Sequence, residues 1–306
     1  MSKQRVSENQ LLPEHYETPP IGILKWIFLV LLCITLGFLF NFPLTQVIEG
    51  KIQKAISGVK NCNIAYKELS LNFLFLPNLN LRTPSVSGRC IGGKEIKLDE
   101  LAIKFRGPGF SPFGVKLLTQ AGVNKSKFEV YSTIGPKEQV ISVPSAIFHF
   151  SDFKNLYEDV FKIRGIGSLN ALGNVKNSSL SSGTFKLDLK GLEIPPQTIS
   201  GFDVPSLVLG TGVVKGKYNN QKLTFDNLDL GNAHSPIRAT FKGTIDINPR
   251  SMKNSRLNLT GKVNFSKEFL DDFSILNIFL QKIKMENGFY MLRVTGTVSR
   301  PIPSSQ

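Results

Sequence analysis

An uninterrupted apolar segment near the amino terminus constrains this chain more than any other feature. Residues Ile21–Phe42 contain a single charged side chain, Lys25, and about 22 helical residues rise roughly 30 Å, the thickness of a bilayer's hydrocarbon core. A secretory signal has a shorter apolar core and a small-x-small cleavage site, and no such triplet follows Phe42. Lys25 and Trp26, at the edge of the segment, are residue types that favour the headgroup level. The segment therefore predicts one uncleaved transmembrane helix.

The sequence on either side of this span has a different character. Residues 1–20 carry three prolines among polar residues without periodicity, which predicts a short disordered tail. From 43 to 58, apolar residues such as Leu44, Ile48 and Ile52 recur at helical spacing, which predicts an amphipathic helix that leaves the bilayer. The chain from 59 to 306 has no second apolar run of comparable length. We expect it to form a single β-rich domain.

The charge balance limits the possible partners. Lys and Arg number 37 against 23 Asp and Glu, and the net charge of +14 lies entirely after residue 42, since three basic and three acidic residues precede it. Such a balance favours anionic partners, lipid headgroups among them, although a basic surface that is merely solvated accounts for it equally well. The basic residues stand singly between apolar ones, so nucleic acid is not expected as a partner. Because charges flank the span on both sides, they do not choose its orientation.

From Asn63 onward, apolar residues recur at every second position. Short alternating runs are separated by Gly and Pro, which is typical of an antiparallel sheet. Two interruptions, at 151–161 and 267–284, have helical spacing and one apolar side. We therefore predict a mainly β fold, with a long curved antiparallel sheet and two or three short amphipathic helices that cover its apolar face in part. The uncovered remainder of that face would be a groove.

Three strands in the second half share one pattern around a glycine. Segments 239–247, 257–265 and 292–298 alternate apolar and polar residues and carry Gly243, Gly261 and Gly296 at corresponding places. A glycine inside a strand has no side chain to pack and marks a bend, a bulge or a close backbone approach. We predict that these three glycines let the sheet curl.

Residues that could carry chemistry are few. The three histidines lie far apart, and no zinc-ligand spacing, phosphate-binding loop or nucleophile elbow occurs, so we expect no enzyme, no metal and no cofactor. His149, Ser151 and Asp152 lie almost side by side, whereas the members of a catalytic triad are brought together by the fold. We therefore interpret His149 as a partly exposed strand residue that precedes a helix.

The cysteines leave two possibilities open. Cys33 lies inside the predicted span, where a small apolar filler is the expected role. In an oxidising compartment, Cys62 and Cys90 would close a loop of about 29 residues and stabilise the fold by roughly 3–4 kcal/mol. Two free thiols are the alternative.

The glycine-punctuated strands carry a resemblance to a known family. Residues 165–175 (GIGSLNALGNV), 182–192 (SGTFKLDLKGL) and 296–301 (GTVSRP) are similar in pattern to the type II secretion system protein N (GspN) family, within the wider AsmA-like group of membrane-anchored, β-rich proteins. The resemblance implies a single-pass protein of the bacterial inner membrane, with a cytoplasmic tail and a periplasmic carboxyl-terminal domain. It also implies a part in assembling or bridging the secretion machinery, with other secretion-system proteins as partners. No catalytic residue belongs to the pattern.

The AsmA-like group implies an alternative function, which is the binding or transfer of membrane lipid in an apolar β-groove. A groove that is open along its length would favour lipid. A sealed core with an exposed sheet edge would instead favour a partner that adds strands to the sheet.

Overall fold

A computed structural model of the chain describes residues 25, 27–34, 49–54, 62–72, 77–88, 91, 93–157, 162–176, 179–199, 202–249, 251–273, 276 and 280–305. The chain divides into two compact units, Met1–Lys54 and Ala55–Gln306. The described residues of the first unit are helical. Within the described part of the chain, no helix has both the length and the apolar character needed to cross a membrane. The tail at 1–20 and most of the predicted helices at 21–42 and 43–58 lie outside the described residues, so these remain predictions.

The second unit is mainly β, as predicted. Its strands are β1 (Cys62–Ala65), β2 (Glu68–Asn72), β3 (Asn78–Arg82), β4 (Ser85–Gly88), β5 (Glu95–Lys97), β6 (Glu100–Phe110), β7 (Phe113–Val123), β8 (Ser126–Ile134), β9 (Glu138–His149), β10 (Arg164–Lys176), β11 (Ser179–Ile194), β12 (Gln197–Ile199), β13 (Phe202–Val204), β14 (Leu207–Asn219), β15 (Lys222–Leu230), β16 (Ile237–Asp246), β17 (Arg256–Phe265), β18 (Met285–Glu286), β19 (Phe289–Thr297) and β20 (Arg300–Ser305).

Fifteen of these strands form one antiparallel sheet whose order follows the chain. The order runs β2, β3, β6 to β11, β14 to β17 and β19, with β18 and β20 both paired to the outer side of β19. Strands β1, β4 and β5 form a separate small sheet, and β12 pairs with β13. Because consecutive strands pair as hairpins, every connection lies at one of two ends of the main sheet. The predicted long antiparallel sheet is confirmed.

The two ends differ in what they carry. At one end, here called the helical end, the connections contain two short helices, α1 (Lys154–Tyr157) and α2 (Lys267–Asp272), and the β12–β13 hairpin. A 3₁₀ turn, Phe150–Phe153, precedes α1. At the opposite end, here called the hairpin end, short turns such as 111–112, 135–137 and 220–221 connect the strands.

The helix predicted at 267–284 is interrupted. The Ser266 hydroxyl caps α2 by accepting a hydrogen bond from the backbone N–H of Phe269 at 3.1 Å, but α2 ends at Asp272 and Phe273 lies in a turn. Leu276 and Leu280 are helical again, whereas residues 281–284 are not. The last turn of α2 carries Asp271 and Asp272, and negative charge there opposes the helix dipole. Acidic residues at that position favour an early end.

A buried hydrophobic cluster lies at the helical end of the main sheet. Phe269 of α2 is buried with Leu192, Leu207 and Leu209, and its ring stacks on that of Phe265 at 5.5 Å. Burying a side chain of this size contributes about 1.5–3 kcal/mol. The half-buried residues packed against this cluster are Phe150, Ile163, Leu189, Ile194, Val204, Leu230, Ile237, Phe265, Phe273 and Leu276.

One edge of the main sheet is protected by proline. Pro301 and Pro303 of β20 have no N–H, so the donors that pair β20 with β19 belong to the alternate residues Ile302 and Ser304. The backbone nitrogens of the two prolines therefore face away from β19. This edge lacks donors at both positions and is a poor template for a further strand.

Candidate functional site

One face of the main sheet is apolar across its whole width. A single row of directly opposed Cα partners crosses thirteen strands, and every residue in it is apolar: Leu69, Leu81, Leu101, Ala121, Phe128, Ala146, Leu169, Leu187, Val214, Leu228, Phe241, Gly261 and Leu292. We call this set the apolar row. At about 4.8 Å between neighbouring strands, it extends roughly 55–60 Å along the sheet.

The neighbouring row has a different composition. One residue along each strand, the partners are Glu68, Arg82, Glu100, Gly122, Lys127, Ile147, Ser168, Asp188, Val213, Asp229, Thr240, Lys262 and Met291. Successive residues of a strand point to opposite faces, so the second row lies on the other side of the sheet. The main sheet therefore has one apolar face and one largely polar face.

The apolar row is only partly buried. Leu81 and Ala146 are buried, whereas the other eleven members are half-buried. No member of the row belongs to the core cluster at the helical end. Within the described residues, α2 and the neighbouring connections cover the face at that end, and the apolar surface continues beyond them. That the helices cover the apolar face only in part remains a prediction.

Glycines on the apolar face provide space for aromatic rings of adjacent strands. Phe185 and Phe225 are the Cα partners of Gly216 on either side, and their rings make an edge contact at 6.3 Å. A Cβ at Gly216 would lie 2.8 Å from the Phe185 ring. Phe148 is likewise the Cα partner of Gly167, and a Cβ at Gly167 would meet the Phe148 ring.

The three glycines predicted to bend the sheet all lie in main-sheet strands. Gly243 and Gly296 have φ of 140° and 87°, a region that side-chain-bearing residues rarely adopt. Gly261 does not have a positive φ, but a Cβ there would overlap the Thr240 carbonyl oxygen and the Phe241 ring. Gly261 therefore serves a close approach between strands. That the three glycines curl the sheet remains a prediction.

A cavity of about 310 Å³ is lined mainly by polar-face residues of β15 to β17 and β19, together with Phe241 and Gly261 of the apolar row. Lys242, Lys262, Thr240, Thr260 and Met291 are among its lining residues. The Lys262 Nζ lies 4.9 Å from the centre of the Phe289 ring, and the Arg238 guanidinium lies 5.0 Å from the same ring. Lys262 thus makes a cation–π contact and is not simply a solvated lysine.

Asp152 has a structural role, and His149 ends a strand as expected. The Asp152 carboxylate accepts hydrogen bonds from the backbone N–H of Lys125 and Ser126 and from the Ser126 hydroxyl, at 3.1, 3.0 and 2.7 Å. The Ser126 Oγ in turn accepts the backbone N–H of half-buried His149 at 2.9 Å. These bonds tie the β7–β8 turn to the connection after β9, and the His149 ring takes no part in them.

Among the titratable groups that the structure describes, one at a helix cap stands out. In the described ranges, no three His, Cys, Asp or Glu side chains lie close enough together to hold a metal ion. The backbone N–H at the start of α2 and the Ser266 hydroxyl lower the pKa of the exposed Glu268 carboxyl below its ordinary value. That shift reflects a helix cap rather than a reactive group.

Of the two cysteines in the predicted Cys62–Cys90 pair, only Cys62 lies among the described residues. Cys62 is disulfide-bonded and Cys33 is a free thiol. Cys62 is the Cα partner of Gly88 in the β1–β4 ladder, two residues before Cys90. Cys90 itself lies outside the described residues, so the pairing of Cys62 with Cys90 remains a prediction.

Comparison with known proteins does not identify a family. No protein-family model, no curated protein and no solved structure matches this chain significantly. The resemblance to the GspN family therefore remains a prediction.

Proposed function

We propose that this protein binds the acyl chains of membrane lipids along the open apolar face of its main sheet. The apolar row is the observation that carries the proposal: thirteen consecutive partners without one polar side chain, most of them half-buried. Soluble surfaces rarely expose contiguous apolar patches beyond a few hundred Å² unless the patch binds something.

The dimensions of the face suit acyl chains. One leaflet of a bilayer contributes half of the roughly 30 Å hydrocarbon core, so a single acyl chain occupies about 15 Å. A row of roughly 55–60 Å could therefore accommodate several chains, one after another. The described residues offer no cluster of polar groups on the apolar row that would select a polar ligand. The ligand class that fits is a long, flexible hydrocarbon.

A part in a type II secretion system, as a periplasmic domain held in the bacterial inner membrane, is our second proposal. It depends on the resemblance, and one observation favours a partner that adds a strand: β2 is the terminal strand of the described sheet on the side opposite β20. The prolines of β20 disfavour strand addition at the other edge. The open apolar face makes lipid the stronger of the two proposals.

Adjacent residues on opposite faces allow a controlled test. Val214 belongs to the apolar row, whereas Lys215 is an exposed lysine of the same strand without an ion pair among the described residues. We expect the full-length chain carrying Val214→Gln to co-purify with less lipid than wild type, measured by mass spectrometry, while Lys215→Gln retains the wild-type amount. Lipid around a transmembrane helix would be common to all three proteins, so the difference reports the sheet.

Equal lipid content in the Val214→Gln and Lys215→Gln proteins, with both folded by circular dichroism, would refute lipid binding on the apolar face. Co-purification of other secretion-system proteins tests the second proposal separately. A replacement of the outward-facing β2 segment that leaves such co-purification intact would contradict a strand partner at that edge.

A further inference from the structure

The β6–β7 hairpin exposes two aromatic rings at its tip. Phe110 and Phe113 are Cα partners that flank a two-residue turn, and they are 80% and 74% exposed. A phenylalanine left in water forgoes about 1.5–3 kcal/mol of transfer free energy. Two such residues facing each other at one turn indicate a surface that is covered in use.

The exposed rings are the end of a larger apolar patch. Val115 is the partner of Pro108 on one side and of Ile134 on the other, and Val115 and Ile134 are 43% and 44% exposed. Phe113 lies two residues from Val115 on the same strand, so these side chains share a face. That face is also the face of the apolar row, since Ile134 lies on β8 in the same alternation as Phe128. The patch is where the apolar face reaches the hairpin end.

Positive charge surrounds the tip. Arg106, Lys116 and Lys137 are exposed and make no ion pair with any residue the structure describes. Segments 106–119 and 130–137 contain no Asp or Glu. Of the two carboxylates that border segment 130–137, Glu138 is paired with Lys176 at 3.6 Å, and Glu129 accepts a hydrogen bond from the Gln120 side-chain amide at 2.7 Å. An occupant of this surface should therefore be apolar at its centre and anionic around it.

We propose that the β6–β7 tip docks on the surface of a lipid bilayer with anionic headgroups, into which Phe110 and Phe113 insert. Aromatic side chains favour the interfacial level of a bilayer, and neighbouring Lys and Arg gain roughly 1 kcal/mol each near an anionic surface. A protein partner is a poorer match, because a stable interface buries about 800 Å² per partner and a hairpin tip presents only a few side chains. A hairpin tip that presents four apolar side chains suits shallow insertion.

The position of the tip adds to the argument. The small sheet that contains β1 adjoins the helical end, where the Asp99 backbone N–H bonds the Gly122 carbonyl at 2.9 Å and the Asp99 carboxylate accepts the Asn124 N–H at 2.6 Å. The tip lies at the hairpin end, so the small sheet that contains β1 and the tip lie at opposite ends of the main sheet. Docking through the tip requires only the hairpin and does not depend on lipid carried along the apolar row.

The test is flotation of the full-length chain, held in nanodiscs, with added vesicles of phosphatidylethanolamine and phosphatidylglycerol. Wild type should float with the vesicles, and Phe110→Ser/Phe113→Ser should bind at least about tenfold more weakly, because two rings lose their burial. Val298→Ser is the matched control: Val298 is 47% exposed at another turn of the same end, and its loss should leave flotation unchanged. Lys116→Gln/Lys137→Gln should weaken binding to these vesicles but not to vesicles of phosphatidylcholine.

A second measurement locates the tip directly. Trp26 is the single tryptophan, so Trp26→Phe/Phe113→Trp places the one indole at the tip. Brominated lipid in the added vesicles should quench its fluorescence. Three results would each overturn the proposal: no flotation of wild type, equal flotation of the double serine variant, or an indole that is not quenched. If wild type self-associates and Phe110→Ser/Phe113→Ser does not, the tip binds a second copy of the chain instead. Lipid co-purification by the double serine variant should equal that of wild type, which keeps this test separate from the acyl-chain proposal.

Discussion

The ring of Phe241 occupies the space that a side chain at Gly261 would need. The two residues are Cα partners on β16 and β17, and both belong to the apolar row. The Thr240 carbonyl oxygen closes the same space from the backbone side. An aromatic residue opposite a glycine thus lets the strands approach while the apolar row remains continuous.

Gly261→Val should therefore destabilise the protein by at least about 1–3 kcal/mol, because the backbone of β16 has to move and not merely the Phe241 ring. Lys242→Thr is the appropriate control, since Lys242 is exposed on the polar face and makes no cation–π contact with a described aromatic residue, and we expect a change within about 0.5 kcal/mol. Thermal midpoints of the two variants provide the comparison. Equal midpoints would mean that Gly261 is an ordinary strand residue. Lys262 is unsuitable as a control because of its contact with Phe289.

Gly167 allows a sharper test, because the three atoms nearest to a Cβ at Gly167 would all belong to one side chain, that of Phe148. A Cβ at Gly167 would meet the Phe148 ring, with Cε2 at 2.6 Å and Cε1 at 2.7 Å. Gly167→Ala should destabilise wild type more than it destabilises the Phe148→Leu variant, with a coupling of about 0.5–3 kcal/mol in a denaturant-based double-mutant cycle. A Cβ at Gly183 would lie 2.8 Å from the Leu172 carbonyl oxygen, so Phe148→Leu should not reduce the cost of Gly183→Ala. An additive result at Gly167 would contradict the ring-over-glycine packing.

Ser126→Ala should cost about 1–3 kcal/mol. The fully buried Ser126 hydroxyl donates to Asp152 and accepts from the His149 N–H, so its removal leaves two polar groups without that partner. Ser145→Ala, on the exposed part of β9, should change the free energy of unfolding by less than about 0.5 kcal/mol. Urea denaturation of both variants measures the difference. Similar midpoints would show that water replaces the Ser126 hydroxyl.

The mainly β fold and the amphipathic character of the sheet could be predicted from the alternation of apolar residues alone. The apolar row could not, because it depends on the register between strands, and the bulges at positions such as Leu169–Ala171 are not visible in a periodicity of two. Leu169 and Leu187 each read as ordinary strand residues until the ladder places them opposite each other.

The glycines and the hairpin tip illustrate two further limits. The repeated sequence pattern predicts a special place for Gly261, but the physical reason, the ring of Phe241, lies on the neighbouring strand. Phe110 and Phe113 lie three residues apart in a Gly/Pro-rich stretch that reads as a turn. Their exposure is a property of the folded hairpin, and apolar residues at a turn do not by themselves indicate a surface site.

Cys62→Ser should destabilise the second unit by about 3–4 kcal/mol if Cys62 pairs with Cys90 across a loop of about 29 residues. Peptide mapping without reductant measures the pairing, and the expected product is one peptide pair that contains both cysteines. Cys33→Ser is the control, because Cys33 is a free thiol and its loss should leave both the map and the thermal midpoint unchanged. Recovery of Cys90 as a free thiol would refute the pairing.

The β20 edge leads to the final prediction. Pro301→Ala/Pro303→Ala should restore two backbone N–H groups that face away from β19, and an edge with such donors is a template for another strand. We expect the double variant to form larger assemblies in sedimentation velocity at concentrations where wild type does not change. Ile302→Ala is the matched control, because it alters the same strand without adding an outward donor. If neither variant changes the sedimentation coefficient, the prolines do not protect this edge, and Arg300 or the exposed side chains of β20 must keep further strands away.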